Sequence, residues 1–357
     1  MTSSGQSGGR SDRFIDLRSD TYNLPTQAML ARLGSAIDNP PDGGAEEHTR
    51  ELERAVSALT SKEAALFLPT CSAANLLALM ALANPAENVV VDADSHIRWL
   101  EANSASVTGG VQLVPVPRDG SVVDPVALVE FAERSSHFGL PPLGLICVEN
   151  SHNNAGGTVA TRSDMKRVSG MALDYGARLH VDGARIFNAA ARLDVEVSEL
   201  CASATTVALS LNKSLGAPYG AVLAGPEDVI AKARNLRGQL GIASIHQEGL
   251  FATMALEALE NNMEDPRLDN CEAGKLARSL IRHFESELAV QTPQTNIILF
   301  DVLGDLTAAE FCRQLANRGV LAKPRSATRS VRLVVNRGSR QHDLGRVIEA
   351  FARALGR

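Results

Sequence analysis

The chain has 357 residues, 45% of them hydrophobic and 4% aromatic, with a formal net charge of −6, which is enough for one large domain with a smaller one attached. So mild an acidity leaves no basic footprint for nucleic acid, and so few aromatics leave no base-stacking surface. The five cysteines, Cys71, Cys147, Cys201, Cys271 and Cys312, are odd in number and form no C-x-x-C pair. They argue against a disulfide framework or a thiolate zinc site and for a reducing, cytoplasmic compartment; no metal-ligand set is read.

Residues 1–13 are polar, Ser/Gly-rich and without an apolar signal core, and read as a disordered tail. Leu52, Val56 and Leu59 recur at helical spacing and predict a helix over Thr49–Leu59. A strand at Ala64–Leu68 follows, then a helix at Ala73–Ala83. Its apolar run from Leu76 to Ala83 is too short to span a bilayer. Further strands read at Val89–Val91, Val111–Val114, Leu145–Val148, Leu179–Val181, Thr205–Leu209 and Ala221–Ala224, with helical segments between several of them. Strands separated by helices imply a mostly parallel, seven-stranded sheet covered by helices, in an α/β domain over residues 14–246. From 247 to 357 the pattern becomes a smaller α+β domain. It has helices at Gln247–Asn262, Gly274–Leu288, Ala308–Arg318 and Asp343–Leu355, and strands at Asn296–Phe300 and Val331–Val335.

Open α/β sheets bind ligands beyond the carboxyl ends of their strands. Asp182 closes one such strand, Lys213 follows the next, and Glu149-Asn150 follows an earlier one. A lysine for a Schiff base and a carboxylate for a pyridinium nitrogen suit pyridoxal 5'-phosphate (PLP). Taken singly, Lys213 reads more readily as a surface lysine and Asp182 as a helix cap; the pair carries the reading. Thr70, Cys71 and Ser72 lie between a strand and a helix, where free N–H groups and the dipole favour a phosphate; Ser210 offers a further hydroxyl. His96, after the strand at Val89–Val91, is placed to stack on the cofactor ring and shuttle protons, with His152 as second candidate. Arg185 and Arg332 are candidates for bidentate binding of a substrate carboxylate.

Together these segments resemble the threonine aldolase and beta-eliminating lyase branch of the fold-type I PLP-dependent enzymes. The resemblance is carried by Asp16-Leu17-Arg18-Ser19-Asp20-Thr21, Asn75-Leu76-Leu77-Ala78-Leu79, Ser95-His96-Ile97 and Glu149-Asn150-Ser151-His152-Asn153. Most specific are the run from His180 to Ala189 and Leu215-Gly216-Ala217-Pro218; the likeness extends from about residue 14 to the C-terminus. It implies a fold-type I transferase fold and a homodimer or homotetramer acting on a small amino acid, with no membrane or nucleic-acid partner. Within the site it implies Lys213 as the cofactor lysine, Asp182 on the ring nitrogen, His96 over the ring, and Ser19, Arg185 and Arg332 on the substrate carboxylate. His96 or His152 would act on the β-hydroxyl.

The chain departs from the family pattern in four places. Asp42-Gly43-Gly44-Ala45-Glu46-Glu47 replaces the usual Tyr-Gly-Glu-Asp-Pro, and Thr70-Cys71-Ser72 replaces Ser-Gly-Thr. Asn212 and Ser214 flank the lysine in place of serine and glycine. Ala243-Ser244-Ile245-His246-Gln247 places a histidine where an arginine is usual. The expected activity is aldol cleavage of β-hydroxy-α-amino acids such as threonine to glycine and an aldehyde. Transaldolation or β-elimination on the same scaffold is the alternative, and a non-catalytic PLP-binding protein the second.

Overall fold

The computed structural model describes residues 14–242, 246–325 and 329–357. The tail read at residues 1–13 and the departing residues 243–245 lie outside them. The chain divides into two compact units: Asn23–Arg267, and Leu268–Arg357 together with the described residues up to Tyr22.

The larger unit carries a seven-stranded sheet. In chain order its strands are β1 (Ala64–Leu68), β2 (Asn88–Asp92), β3 (Gln112–Val116), β4 (Leu143–Glu149), β5 (Arg178–Gly183), β6 (Thr206–Ser210) and β7 (Ala221–Gly225). Across the sheet the order is β1-β7-β6-β5-β4-β2-β3. The four pairings from β6 to β3 are parallel, and only β7 runs against its neighbours. The central strands are apolar on both faces and wholly buried, as in β2, which is what a sheet covered on both sides requires. Because β4 and β5 are parallel and in register, Glu149 lies opposite Asp182, and Asp182 opposite Ala208. The carboxyl ends of these strands therefore collect polar side chains at one edge.

Helices α1 (Gln27–Asp38), α2 (Ala45–Thr60) and α3 (Cys71–Leu82) belong to this unit. In α2, Leu52 and Val56 face the core while Glu46 and Glu47 occupy the first turn, favourable against the helix dipole. The helix Gly249–Asn261 packs on α1 and α2. A Cβ at Gly249 would lie 1.5 Å from the Ala45 carbonyl oxygen, so only glycine permits this approach. These contacts carry the larger unit to Arg267, beyond the boundary after residue 246 expected from sequence.

The smaller unit holds a four-stranded antiparallel sheet in the order Leu288–Val290, Ile297–Val302, Ser330–Val334, Lys323–Pro324. Its core includes Phe284, Phe300, Phe311 and Phe351. Ile15–Asp16 pairs in parallel with Val320–Leu321, so the beginning of the described chain belongs to this unit. The helix expected over Gly274–Leu288 instead spans Asp265–Phe284, and Leu288 begins a strand. Among the described residues no helix is long and apolar enough to cross a membrane.

Candidate active site

Asp182 ends β5 almost wholly buried, and each of its oxygens has a donor. Asn75 Nδ2 donates to Oδ2 at 2.9 Å; the Ala184 N–H donates to Oδ1 at 3.1 Å, and the Cys71 thiol lies 3.7 Å from that same oxygen. The helix after it starts at Ile186 and is preceded by Arg185, so Asp182 is no helix cap. Burial favours the protonated carboxyl. The positive charges of His96 and Lys213 and the Asn75 hydrogen bond outweigh it, and the pKa falls below the ordinary Asp value. A buried carboxylate held ionised beside a lysine is what a protonated ring nitrogen requires as counter-ion.

Asn75 lies on the buried face of α3. Its amide also donates to Glu101 Oε1 at 2.8 Å, and its Oδ1 lies 3.1 Å from His180 Nε2. With both amide hydrogens turned to carboxylates, Oδ1 must accept, so His180 carries its proton on Nε2 and accepts from Thr206 Oγ1 on Nδ1 at 2.8 Å. Burial lowers the His180 pKa to about 4, so this imidazole is neutral at working pH.

His96 opens the short helix α4 (His96–Trp99) with its side chain part-exposed. Its Nδ1 lies 3.0 Å from Glu101 Oε1 and its backbone N–H donates to Glu149 Oε2 at 2.8 Å. Burial disfavours the imidazolium, but the Glu101 hydrogen bond and the charges of Asp182 and Glu149 win, and the pKa rises. Glu101 is itself pushed up, by burial and by Asp182, against the pull of His96 and Asn75. Ligand atoms of His96, Glu101 and Asp182 all lie within 4.8 Å of one another.

His152 is placed differently. It is 1% exposed, with Nε2 at 3.2 Å from Asp92 Oδ1 and 3.9 Å from Glu149 Oε2, while Nδ1 accepts from the Ala155 N–H. Arg118 Nε lies 3.0 Å from the other Asp92 oxygen. Burial works against charging His152, but Glu149 and Asp92 raise its pKa. Glu149 in turn accepts from the His96 backbone N–H through Oε2 and from the Asn153 N–H through Oε1 at 2.8 Å.

Lys213 sits in a loop fixed by side-chain amides. Asn23 Nδ2 donates to the Lys213 carbonyl at 3.1 Å and Asn262 Nδ2 to the Leu215 carbonyl at 2.8 Å; Ser214 Oγ donates to Asn188 Oδ1 at 2.8 Å. The loop closes through Gly220, whose φ of +103° and approach to the Phe67 ring exclude a side chain. Thr70 caps α3, accepting from the Ala73 N–H at 3.1 Å, so the leading N–H groups of Cys71 and Ser72 sit on the first turn of a 12-residue helix. The Ser210 hydroxyl donates to Asn212 Oδ1 at 2.7 Å within the lysine loop. Arg185 is buried and donates to Asn153 Oδ1 at 3.0 Å.

The larger unit thus assembles Asp182, Lys213, His96 and Cys71, with Arg185 anchored to the Glu149–Asn153 turn. Ser19 and Arg332 belong to the smaller unit. There Ser19 Oγ pairs with Thr21 Oγ1 at 2.8 Å, and Arg332 donates to the Arg18 carbonyl at 3.4 Å. Sequence reasoning placed Glu149 at the strand ends but missed Asn75, Glu101, Asp92 and His180 as parts of the site. The available signals were a lone amide in an otherwise apolar helix and an acid five residues after His96. The lysine, the ionised buried acid and the helix turn fit PLP: an amine for its aldehyde, a counter-ion for its nitrogen and N–H groups for its phosphate.

The sequence pattern of the Beta-eliminating lyase family matches residues 16–303. The chain is 34% identical over 344 residues to a probable low-specificity L-threonine aldolase 2 of Arabidopsis thaliana, covering 95% of this chain and 96% of that protein. It is 31% identical to the low specificity L-threonine aldolase of Escherichia coli (strain K12), covering 96% and 100%. Among solved structures, a putative L-allo-threonine aldolase of Listeria monocytogenes superposes with a TM-score of 0.77 at 19% identity, covering 97% of this chain and 96% of that one. The Sphingomonas wittichii serine palmitoyltransferase superposes with a TM-score of 0.75 at 19% identity, covering 96% and 88%. These likenesses place the fold among the fold-type I PLP-dependent enzymes.

Proposed function

This chain belongs to the beta-eliminating lyase family, and we propose that it is a PLP-dependent aldolase that cleaves the Cα–Cβ bond of β-hydroxy-α-amino acids, such as threonine, to glycine and an aldehyde. The observation that carries the reading is the buried Asp182 carboxylate near the carboxyl end of β5, held by the Asn75 amide and the Ala184 N–H, with the charges of His96 and Lys213 favouring its ionised form. When bound, PLP supplies an aldehyde that takes up the substrate amine and a protonated ring that accepts the electron pair of the breaking bond.

The chain's residues supply the rest. Lys213 would hold the cofactor through its side-chain amine. Asp182 keeps the ring nitrogen protonated, and the first turn of α3 receives the phosphate. Arg185 orients the carboxylate of the substrate; Ser19 and Arg332 share that role on the strength of the resemblance. In its neutral form His96 would take the β-hydroxyl proton, because its imidazole is part-exposed and Glu101 stabilises the charge it acquires. His152, buried against Asp92 and 3.9 Å from Glu149, serves the packing of the Glu149–Asn153 turn instead. The protein acts as a homo-oligomer in the cytoplasm.

Purified protein supplied with PLP and a panel of β-hydroxy amino acids tests the assignment by product identification. Glycine plus the matching aldehyde is expected. A keto acid with ammonia, or a new β-hydroxy amino acid formed without net glycine, would assign the chain to elimination or transaldolation instead.

A further inference from the structure

We propose that Asn75 is a positioning residue that joins the two working parts of the site, holding the ring-nitrogen carboxylate Asp182 and the Glu101–His96 pair as one hydrogen-bonded unit. The inference rests on the reading of Asp182 and His96 as cofactor-facing groups, and adds how they are held together.

The argument is geometric. Asn75 is 0% exposed, on the α3 face that looks onto the strand ends. Its amide nitrogen has two hydrogens, and two carboxylates from different elements take them: Asp182 Oδ2 at 2.9 Å and Glu101 Oε1 at 2.8 Å. The same Glu101 oxygen lies 3.0 Å from His96 Nδ1. The amide cannot turn over, because its oxygen would then face two carboxylates with no hydrogen between them. His180 is in turn fixed by Thr206. The result is a single chain of side chains, Thr206–His180–Asn75, forking to Asp182 and to Glu101–His96. The charged and titratable groups facing it are Asp182, Glu101, Glu149, His96, Lys213, Cys71 and His180.

Two buried carboxylates this close stay ionised together only with donors shared between them and cations nearby. Without the Asn75 amide, one of the two takes up a proton. His96 then loses part of the negative charge that holds its own proton, and a ring nitrogen loses part of its counter-ion. Asn75 touches neither substrate nor the reacting atoms and acts only through Asp182 and Glu101.

The test uses the full chain freed of cofactor. The His96 ring is followed by NMR across pH, with His96→Gln to assign its signal, and PLP is titrated by absorbance. In Asn75→Leu, His96 is expected to titrate about one pH unit lower than in the unsubstituted chain, with PLP affinity down about tenfold or more. Glu101→Gln, which keeps shape and removes charge, is expected to lower the His96 midpoint likewise. Asn75→Ser, which keeps one donor, should fall between, and it replaces Asn75→Leu should that variant not fold. An unchanged His96 midpoint in the Asn75 variants, with Glu101→Gln still lowering it, overturns the joint. Should PLP bind none of the proteins, the functional reading fails, and the His96 midpoints still decide the role of Asn75.

Discussion

The two ends of the site are built by different rules. At the ring end, Asp182, Asn75, His180, Glu101 and His96 are side chains that hold one another, mostly out of water, each with named partners. At the end proposed for the phosphate, Thr70-Cys71-Ser72 offers the first turn of α3, where the backbone supplies the donors. Backbone donors tolerate a change of side chain; a buried ionised carboxylate does not. The departures from the family pattern around the cofactor follow that division. Cys71 falls on the helix turn, and Asn212 and Ser214 fall on the lysine loop. Asp182, His180 and Asn75 lie in the runs that match.

The largest expected effect belongs to the covalent anchor. Lys213→Ala should abolish turnover and the visible absorbance of the PLP-loaded protein, and retained retro-aldol turnover would break the scheme. Asp182→Asn keeps the shape of the ring end and removes its charge, so kcat/KM should fall about a thousandfold, some ~4 kcal/mol of transition-state stabilisation.

The next effect is on stability. The unfolded His180 imidazole takes a proton near pH 6.5, while the folded one resists until about pH 4. The depressed pKa therefore makes stability complete above pH 6.5 and drains it as pH falls toward 4, by roughly 3 kcal/mol. Thermal melts of the cofactor-free chain across that window should show the loss, and His180→Gln should flatten it. The raised pKa values of His96 and His152 act with the opposite sign. Their contributions are full below pH 6.5 and fade as pH rises through the folded values.

Changes at the phosphate end should be smaller. Thr70→Ala removes the cap on the Ala73 N–H and should cost about 1 kcal/mol in a melt. Cys71→Gly removes only a long thiol contact to Asp182, and PLP affinity should stay within about threefold. A Cys71→Gly loss as large as that of Asp182→Asn would erase the distinction between the two ends.

Much of this was legible in the sequence, for physical reasons. The sheet strands read well because a doubly covered sheet needs continuous apolar runs, and Val89-Val90-Val91 or Ala64–Leu68 have few other uses. Lys213 and Asp182 were legible as a pair because each follows or closes a strand. Asn75 and Glu101 were not: an amide within Ala73–Ala83 looks like a tolerated polar residue until β5 and Glu101 are seen to surround it. His152 stood in sequence as a second candidate beside His96 for the proton-transfer role, and its burial against Asp92 sets it apart. The extent of the larger unit was hidden because it depends on Gly249 meeting Ala45, a contact no local pattern announces.

The central claim is that Lys213 carries the cofactor while Asp182 holds its ring nitrogen. The most direct measurement is borohydride reduction of the PLP-treated protein, followed by peptide mass spectrometry. The account predicts one phosphopyridoxyl group, on Lys213, and a visible band that Asp182→Asn perturbs. A colourless protein, or a label spread over other lysines with Lys213 unmodified, would contradict it.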